Sequence, residues 1–125
     1  MRIQPTTQTT TMRSHFTRPP SWWKVPYWDQ ERQFQIAVEE AASRLGWSYY
    51  HTYDSRRSGA GFPDLTAWSG EHLIFAELKL GKRSKISDPQ ADFLRGLAQT
   101  PARVYLWVPW EWDDILDIFK HPDEG

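Results

Sequence analysis

The stretch from Leu65 to Lys79 restricts the fold more than any other part of the chain. Residues 65–68 and 72–79 read as two strands, with the turn signal Ser69-Gly70 at their junction. A connection this short requires antiparallel pairing. In the second strand Leu73, Phe75, Glu77 and Lys79 share one face, while Ile74, Ala76 and Leu78 share the other. Both faces begin apolar, which predicts a central strand covered on both sides. One face then switches to charge at Glu77 and Lys79, and burying such groups is costly unless they pair or hold an ion. Asp64 lies six residues before the turn and Glu77 seven after it. The hairpin register therefore predicts the two carboxylates side by side at one sheet edge.

The flanking pattern fills in the remaining layers. Residues 30–45 read as a helix, with Asp29 as N-cap and Gly46 as the stop. Phe34, Ala37, Val38, Ala41 and Leu45 form its apolar stripe. On a helical wheel Glu31 falls within roughly 50° of that stripe, while Glu39 and Glu40 point more than about 100° away, toward water. Trp47–Tyr53 reads as an aromatic-rich strand, Ser87–Gln99 as a helix, Arg103–Val108 as a strand and Glu111–Phe119 as a last helix. The order αβββαβα fits an α/β (α+β) fold, a mixed central sheet flanked by helices.

Composition removes several function classes. The chain has 125 residues, one domain's worth, and no Cys, so disulfide scaffolds, thiolate zinc sites and cysteine nucleophiles are excluded. Fifteen basic against 16 acidic residues give a net charge of −1, which argues against a general polycation but not against a local basic patch. No apolar run is long enough to cross a membrane, and no secretory leader is expected. Residues 1–20 are Thr-rich and aperiodic and read as a disordered tail. Residues 21–28 form a Trp-rich arm, residues 29–120 the folded domain, and residues 121–125 a short tail. The arm's rings Trp22, Trp23, Tyr27 and Trp28 suit packing onto the domain, with a dimer contact or a base-stacking arm as alternatives.

Two carboxylates at hairpin spacing repel each other unless a cation lies between them. Hard oxygen donors select Mg²⁺ or Mn²⁺ rather than zinc. Lys79, two residues beyond Glu77, can orient water or neutralise charge on a phosphoryl group. Taken singly, each signal has an ordinary reading. Glu77-x-Lys79 is also a strand-end ion pair, and Asp64 is also a turn residue after Pro63. Basic residues gather around the same edge: Arg56 and Arg57 in the loop before it, and Lys82, Arg83 and Lys85 after it, as phosphate contacts require. His51 reads more readily as structural than as catalytic.

Gly61-Phe62-Pro63-Asp64-Leu65, Glu77-Leu78-Lys79 and Ser87-Asp88-Pro89-Gln90, in that order and spacing, resemble the VRR-NUC branch of the PD-(D/E)xK nucleases. The likeness runs from about Asp29 to Phe119, and the run His51–Ser58 looks like the small stand-alone phage members. The resemblance implies a restriction-endonuclease-like αβββαβ core followed by a C-terminal helix. It implies that Asp64, Glu77 and the Leu78 backbone carbonyl are metal ligands, Lys79 the catalytic lysine and Glu31 the acid of the first helix. It makes Gln90 a functional glutamine, although Ser87-x-x-Gln90 is equally a capping box.

The expectation is therefore a Mg²⁺-dependent endonuclease, with Mn²⁺ as substitute, that hydrolyses DNA phosphodiester bonds. Strong sequence specificity is not expected, since nothing resembles a sequence-reading domain; structure selectivity, for a Holliday junction or flap, is one reading beside nicks and plain duplex. A cytoplasmic setting, in a bacterial or phage-infected cell, is expected with no membrane partner, and the resemblance implies a homodimer as one arrangement for cutting both strands. The rival readings are a catalytically silent DNA-binding module on the same fold and an assembly protein held by the Trp-rich arm.

Overall fold

A computed structural model describes residues 1–8, 28, 30–53, 60–81 and 85–124. Among the described residues five strands and three α-helices follow in the order β1 (Arg2–Ile3), α1 (Glu31–Arg44), β2 (Ser48–His51), β3 (Leu65–Ser69), β4 (His72–Leu78), α2 (Asp88–Ala98), β5 (Arg103–Trp107) and α3 (Trp112–Lys120). The sheet order is β1-β5-β4-β3-β2. β4 pairs parallel to β5, and every other pairing is antiparallel. The result is the mixed α+β sheet expected of a restriction-endonuclease-like core, with β4 at its centre. Among the described residues no helix is long and apolar enough to cross a membrane.

Each face of the sheet carries its own core. Leu65, Ala67, Ile74, Ala76 and Leu78 pack with Tyr105 and Trp107 beneath α1 and α3, which contribute Phe34, Val38, Ile115 and Phe119. Burying a side chain such as Phe34 or Leu65, each 0% exposed, is worth about 1.5–3 kcal/mol. On the opposite face Val104 and Leu106 meet Ile86 and the α2 residues Ala91, Leu94 and Ala98. Trp47 joins distant parts of the chain: its indole N–H donates to the Phe119 carbonyl at 3.0 Å, and its ring meets that of Phe119 edge-on. α1 closes as a Schellman turn. The N–H groups of Gly46 and Trp47 return to the carbonyls of Ser43 and Ala42, and Gly46 supplies the required positive φ of 88°.

Four expectations change. The N-terminus is not a disordered tail over residues 1–8: Arg2–Ile3 pairs with Tyr105 and Val104 of β5, and Ile3 is buried in the α2-side core. Two residues carry no readable period, so only the tertiary pairing reveals this strand. The remainder of the tail and nearly all of the Trp-rich arm fall outside the described residues. Trp28 alone of the arm is described, with its ring packed on Phe34 and Trp112.

Second, the N-cap position of α1 is Gln30, which makes no side-chain cap bond; Asp29 lies outside the described residues. Third, the buried face of α1 is rotated. Phe34, Gln35, Val38, Glu39 and Ala42 are buried, while Leu45 is exposed. Glu39 therefore faces β2 instead of water, because α1 packs toward the outer strand as well as the sheet centre. Glu40 is exposed as expected. Fourth, β4 is covered on both faces only beyond its start. Ile74, Ala76 and Leu78 are fully buried, but Leu73 is exposed, because the α2-side core centres on β5 and β1.

Candidate active site

The β3–β4 hairpin builds the site. Its ladder pairs Leu65 with Ala76, so one step further Asp64 stands opposite Glu77. The Leu78 N–H donates to Asp64 Oδ2 at 2.9 Å, which fixes that carboxylate across the strand pair. The Asp64 carbonyl accepts from the Thr52 N–H at 3.0 Å and from Gln35 Nε2 at 3.4 Å. Thr52 Oγ1 donates to the neighbouring Pro63 carbonyl at 2.7 Å. Asp64 is thus held from β4, from the end of β2 and from α1.

Glu77 is 1% exposed, and its Oε2 has no hydrogen-bond partner among the described residues. Burial, the hydrogen bond to Asp64 and that acid's negative charge push its pKa up to about 10, with Lys79 opposing and Glu31 adding to the rise. Near neutral pH this carboxyl keeps its proton, shared toward Asp64. Glu31 stands in the first turn of α1, in line with Gln35, Val38 and Ala42 at spacings of four, three and four residues. Its pKa is raised by desolvation, lowered by Lys79 and raised by Asp64, which places Glu31 in the same electrostatic cluster although the residue lies at the surface. Lys79 continues beyond β4, with its N–H donated to the Trp107 carbonyl at 3.0 Å. The structure therefore brings together Glu31, Asp64, Glu77 and Lys79, with Leu78 between the last two.

The loop before Asp64 is seated by its glycine. Gly61 has φ +91°, and a Cβ there would lie 2.5 Å from the Pro89 carbonyl carbon and 2.6 Å from the Gln90 nitrogen. Only glycine lets this loop rest on the start of α2. The two motif segments consequently form opposite walls of one groove of about 340 Å³, lined by Thr52, Tyr53, Gly61, Asp64, Ser87 and Gln90 among others. Gln90 completes the capping box: its Oε1 accepts from the Ser87 N–H at 2.9 Å, and Ser87 Oγ accepts from the Gln90 N–H at 3.2 Å. It thus has a structural role while standing on the groove. Lys85 is exposed at the surface; Arg56, Arg57, Lys82 and Arg83 lie outside the described residues.

Sequence reasoning missed Gln35 and Thr52. Gln35 also contacts His51 Nδ1, and Glu39 Oε2 stands 3.5 Å from that same nitrogen. The available signal for Gln35 was its place one helical turn after Glu31. Among the described residues no set of three or more His, Asp or Glu side chains is arranged to hold a metal ion. The donors present are two adjacent carboxylates, one with a buried oxygen lacking a partner among the described residues, and they fit a hard divalent cation that would take the place of the shared proton.

No curated protein and no solved structure is significantly similar to this chain. A family model, that of the VRR-NUC domain, matches residues 4–107. The match takes in both walls of the groove and all four clustered charges. It also begins in the N-terminal segment, well before the start at Asp29 that the motifs alone indicated, and stops short of α3. On this evidence the chain belongs to the VRR-NUC domain family, whose members have a nuclease-type role in DNA processing.

Proposed function

We propose that this protein is a divalent-metal-dependent endonuclease that hydrolyses DNA phosphodiester bonds. The observation that carries the reading is the Asp64–Glu77 pair, in which a buried carboxyl is left against another acid with one oxygen unpartnered among the described residues. Asp64 and Glu77, joined by the Leu78 backbone carbonyl, would hold Mg²⁺ or Mn²⁺. When bound, the ion supplies positive charge that lowers the pKa of water and stabilises the leaving oxygen. The residues divide the remaining work. Leu78 N–H, Thr52 N–H and Gln35 keep Asp64 aimed into the groove. Lys79 places an ammonium beside the pair, where charge builds on the phosphoryl oxygens. Glu31 adds a third acid that can take a proton or order a water.

Phosphate contacts from Arg56, Arg57, Lys82, Arg83 and Lys85 would dock the backbone, and Gln90 stands on the groove wall. Selectivity for branched DNA, a Holliday junction or a flap, and a homodimer that cuts both strands belong to the same proposal. The test is cleavage of labelled duplex, flap and junction DNA with and without Mg²⁺. Metal-dependent cutting by the wild type, lost in Asp64→Asn and Glu77→Gln, supports the reading. A mobility shift without cutting supports a silent binding module, and no DNA affinity at all overturns both.

A further inference from the structure

Tyr53 is 82% exposed, an unusual position for so large a ring beside a catalytic groove. It lines the groove that holds Asp64 and Gln90, and it also lines a second, smaller groove with Arg32, Gln35, Ile36, Glu39, Tyr49 and His51. The ring is not loosely placed. It meets the His51 imidazole edge-on at 4.6 Å, and His51 is itself held by Gln35 and Glu39 of α1. Tyr49, His51 and Tyr53 follow at two-residue steps along the edge strand β2 and just past its end, and all three line the second groove.

Tyr53 lies past the end of β2 and folds its ring edge to His51, so the faces of its own ring stay open to solvent. An open aromatic face stacks on a base that has left its neighbours, and a paired duplex does not present such bases. The charges agree with that direction of approach. Arg32, exposed and next in sequence to Glu31, is the cation of the second groove. Glu39 is the acid there, but it is buried against His51 instead of facing the rim.

Building on the endonuclease reading, we propose that Tyr49, His51 and Tyr53 form a track for an unstacked, single-stranded stretch of DNA adjoining the bond to be cut, with Tyr53 stacking on a base and Arg32 contacting the backbone. The rings turn to the bases, and the phosphates run along the Arg32 rim. An aromatic side chain that stacks on a base contributes without reading its identity, so the track selects unpaired structure, not sequence.

The experiment uses the full chain and its Tyr53→Ala, Tyr53→Phe and Tyr49→Ala variants. Binding to a short oligo(dT) is measured by fluorescence anisotropy without divalent ions. Cleavage is measured with Mg²⁺ on a paired duplex and on the same duplex with a short gap beside the cut. Tyr53→Ala should bind oligo(dT) roughly ten-fold more weakly, the size of one lost base stack. It should also lose the wild type's preference for the gapped substrate, read as the ratio of the two cleavage rates. Tyr53→Phe should match the wild type, because stacking needs the ring and not the hydroxyl, and Tyr49→Ala should fall in between. Wild-type oligo(dT) binding by Tyr53→Ala, a Phe variant as defective as the Ala variant, or equal losses on paired and gapped substrates would each overturn the track. A wild type that cuts neither substrate overturns the endonuclease reading instead, and the oligo(dT) comparison still decides the track.

Discussion

Two buried glutamates in this small domain show opposite treatments of the same difficulty. Glu39 and Glu77 are 9% and 1% exposed, and each has an Oε2 without a hydrogen-bond partner among the described residues. Desolvation raises the pKa of both. Glu39 has His51 3.5 Å away and feels the charge of Arg32, and both pull its pKa back down. Glu77 has Asp64 as its nearest partner, and an acid beside an acid raises the pKa further. Lys79 opposes this without reversing it. On α1 the fold's own side chains offset part of the cost, although the Glu39 pKa stays raised; on β4 the nearest side chain adds to it. A buried charge left in that state is costly unless something from outside completes it, which is why the β4 acid, and not the α1 acid, marks the chemistry.

The largest expected effect separates the two acids by activity. Glu77→Gln should lower metal-supported cleavage by on the order of 10³ or more with the fold intact, since it removes a charge that only a cation completes. Glu39→Gln should leave initial rates within roughly ten-fold, because its partner is His51, not the reacting groups. Comparable losses in the two variants, measured at saturating Mg²⁺ with circular dichroism as the folding control, would erase the distinction.

Lys79 sharpens it from the cationic side. If its ammonium meets charge that builds in the transition state, Lys79→Ala should lower turnover by roughly 10²-fold while DNA affinity changes little. Parallel losses in turnover and affinity, read from single-turnover kinetics and binding isotherms, would reduce it to a phosphate contact.

Stability gives the third contrast, and its sign follows from the raised pKa. The folded state holds the Glu77 proton more tightly than the unfolded chain, in which the ordinary value is 4.5. The stabilisation from this group is complete below that value and is lost as pH rises toward about 10. The metal-free wild type should therefore weaken across that window by up to about 1.4 kcal/mol per pH unit. Glu77→Gln should flatten the slope and raise Tm at pH 8, gaining stability while losing function. A slope unchanged in the variant, by thermal melts from pH 5 to pH 9, would place the titrating group elsewhere.

A smaller effect concerns the basic loop. Replacing Lys82, Arg83 and Lys85 with Ala should weaken binding to all DNA sequences alike and reduce the slope of log K against log salt by about 1 per lost phosphate contact. Turnover at saturating DNA should fall far less than in the carboxylate variants. An unchanged salt slope would move the phosphate contacts to other residues.

The hairpin was legible in outline, because a short turn forces antiparallel pairing and brings Asp64 near Glu77; the observed turn is Gly70–Glu71, one residue later than the Ser69-Gly70 signal, and that register puts Asp64 opposite Glu77. The elements from residue 30 onward were legible for the same kind of reason: their periods are long and their stop signals strong. β1 was not, since two residues show no period and their partner lies a hundred residues away. The rotation of α1 was hidden by the assumption that buried means apolar. Gln35 and Glu39 are buried as polar partners of His51 and Asp64, which a hydrophobic wheel assigns to water. Gln90 could not be resolved from sequence because one residue serves both the helix cap and the groove wall.

The most direct test of the Asp64–Glu77 pair counts protons. If a divalent cation takes the place of the proton that Glu77 holds, Mg²⁺ binding at pH 8 must expel it. Calorimetric titration of the wild type with Mg²⁺, repeated in buffers of different ionisation enthalpy, reads the number released without any substrate. The proposed chemistry predicts close to one proton per site for the wild type, and for Glu77→Gln, weak binding with none. Mg²⁺ binding with no proton released, or equal binding and release in the variant, would contradict it.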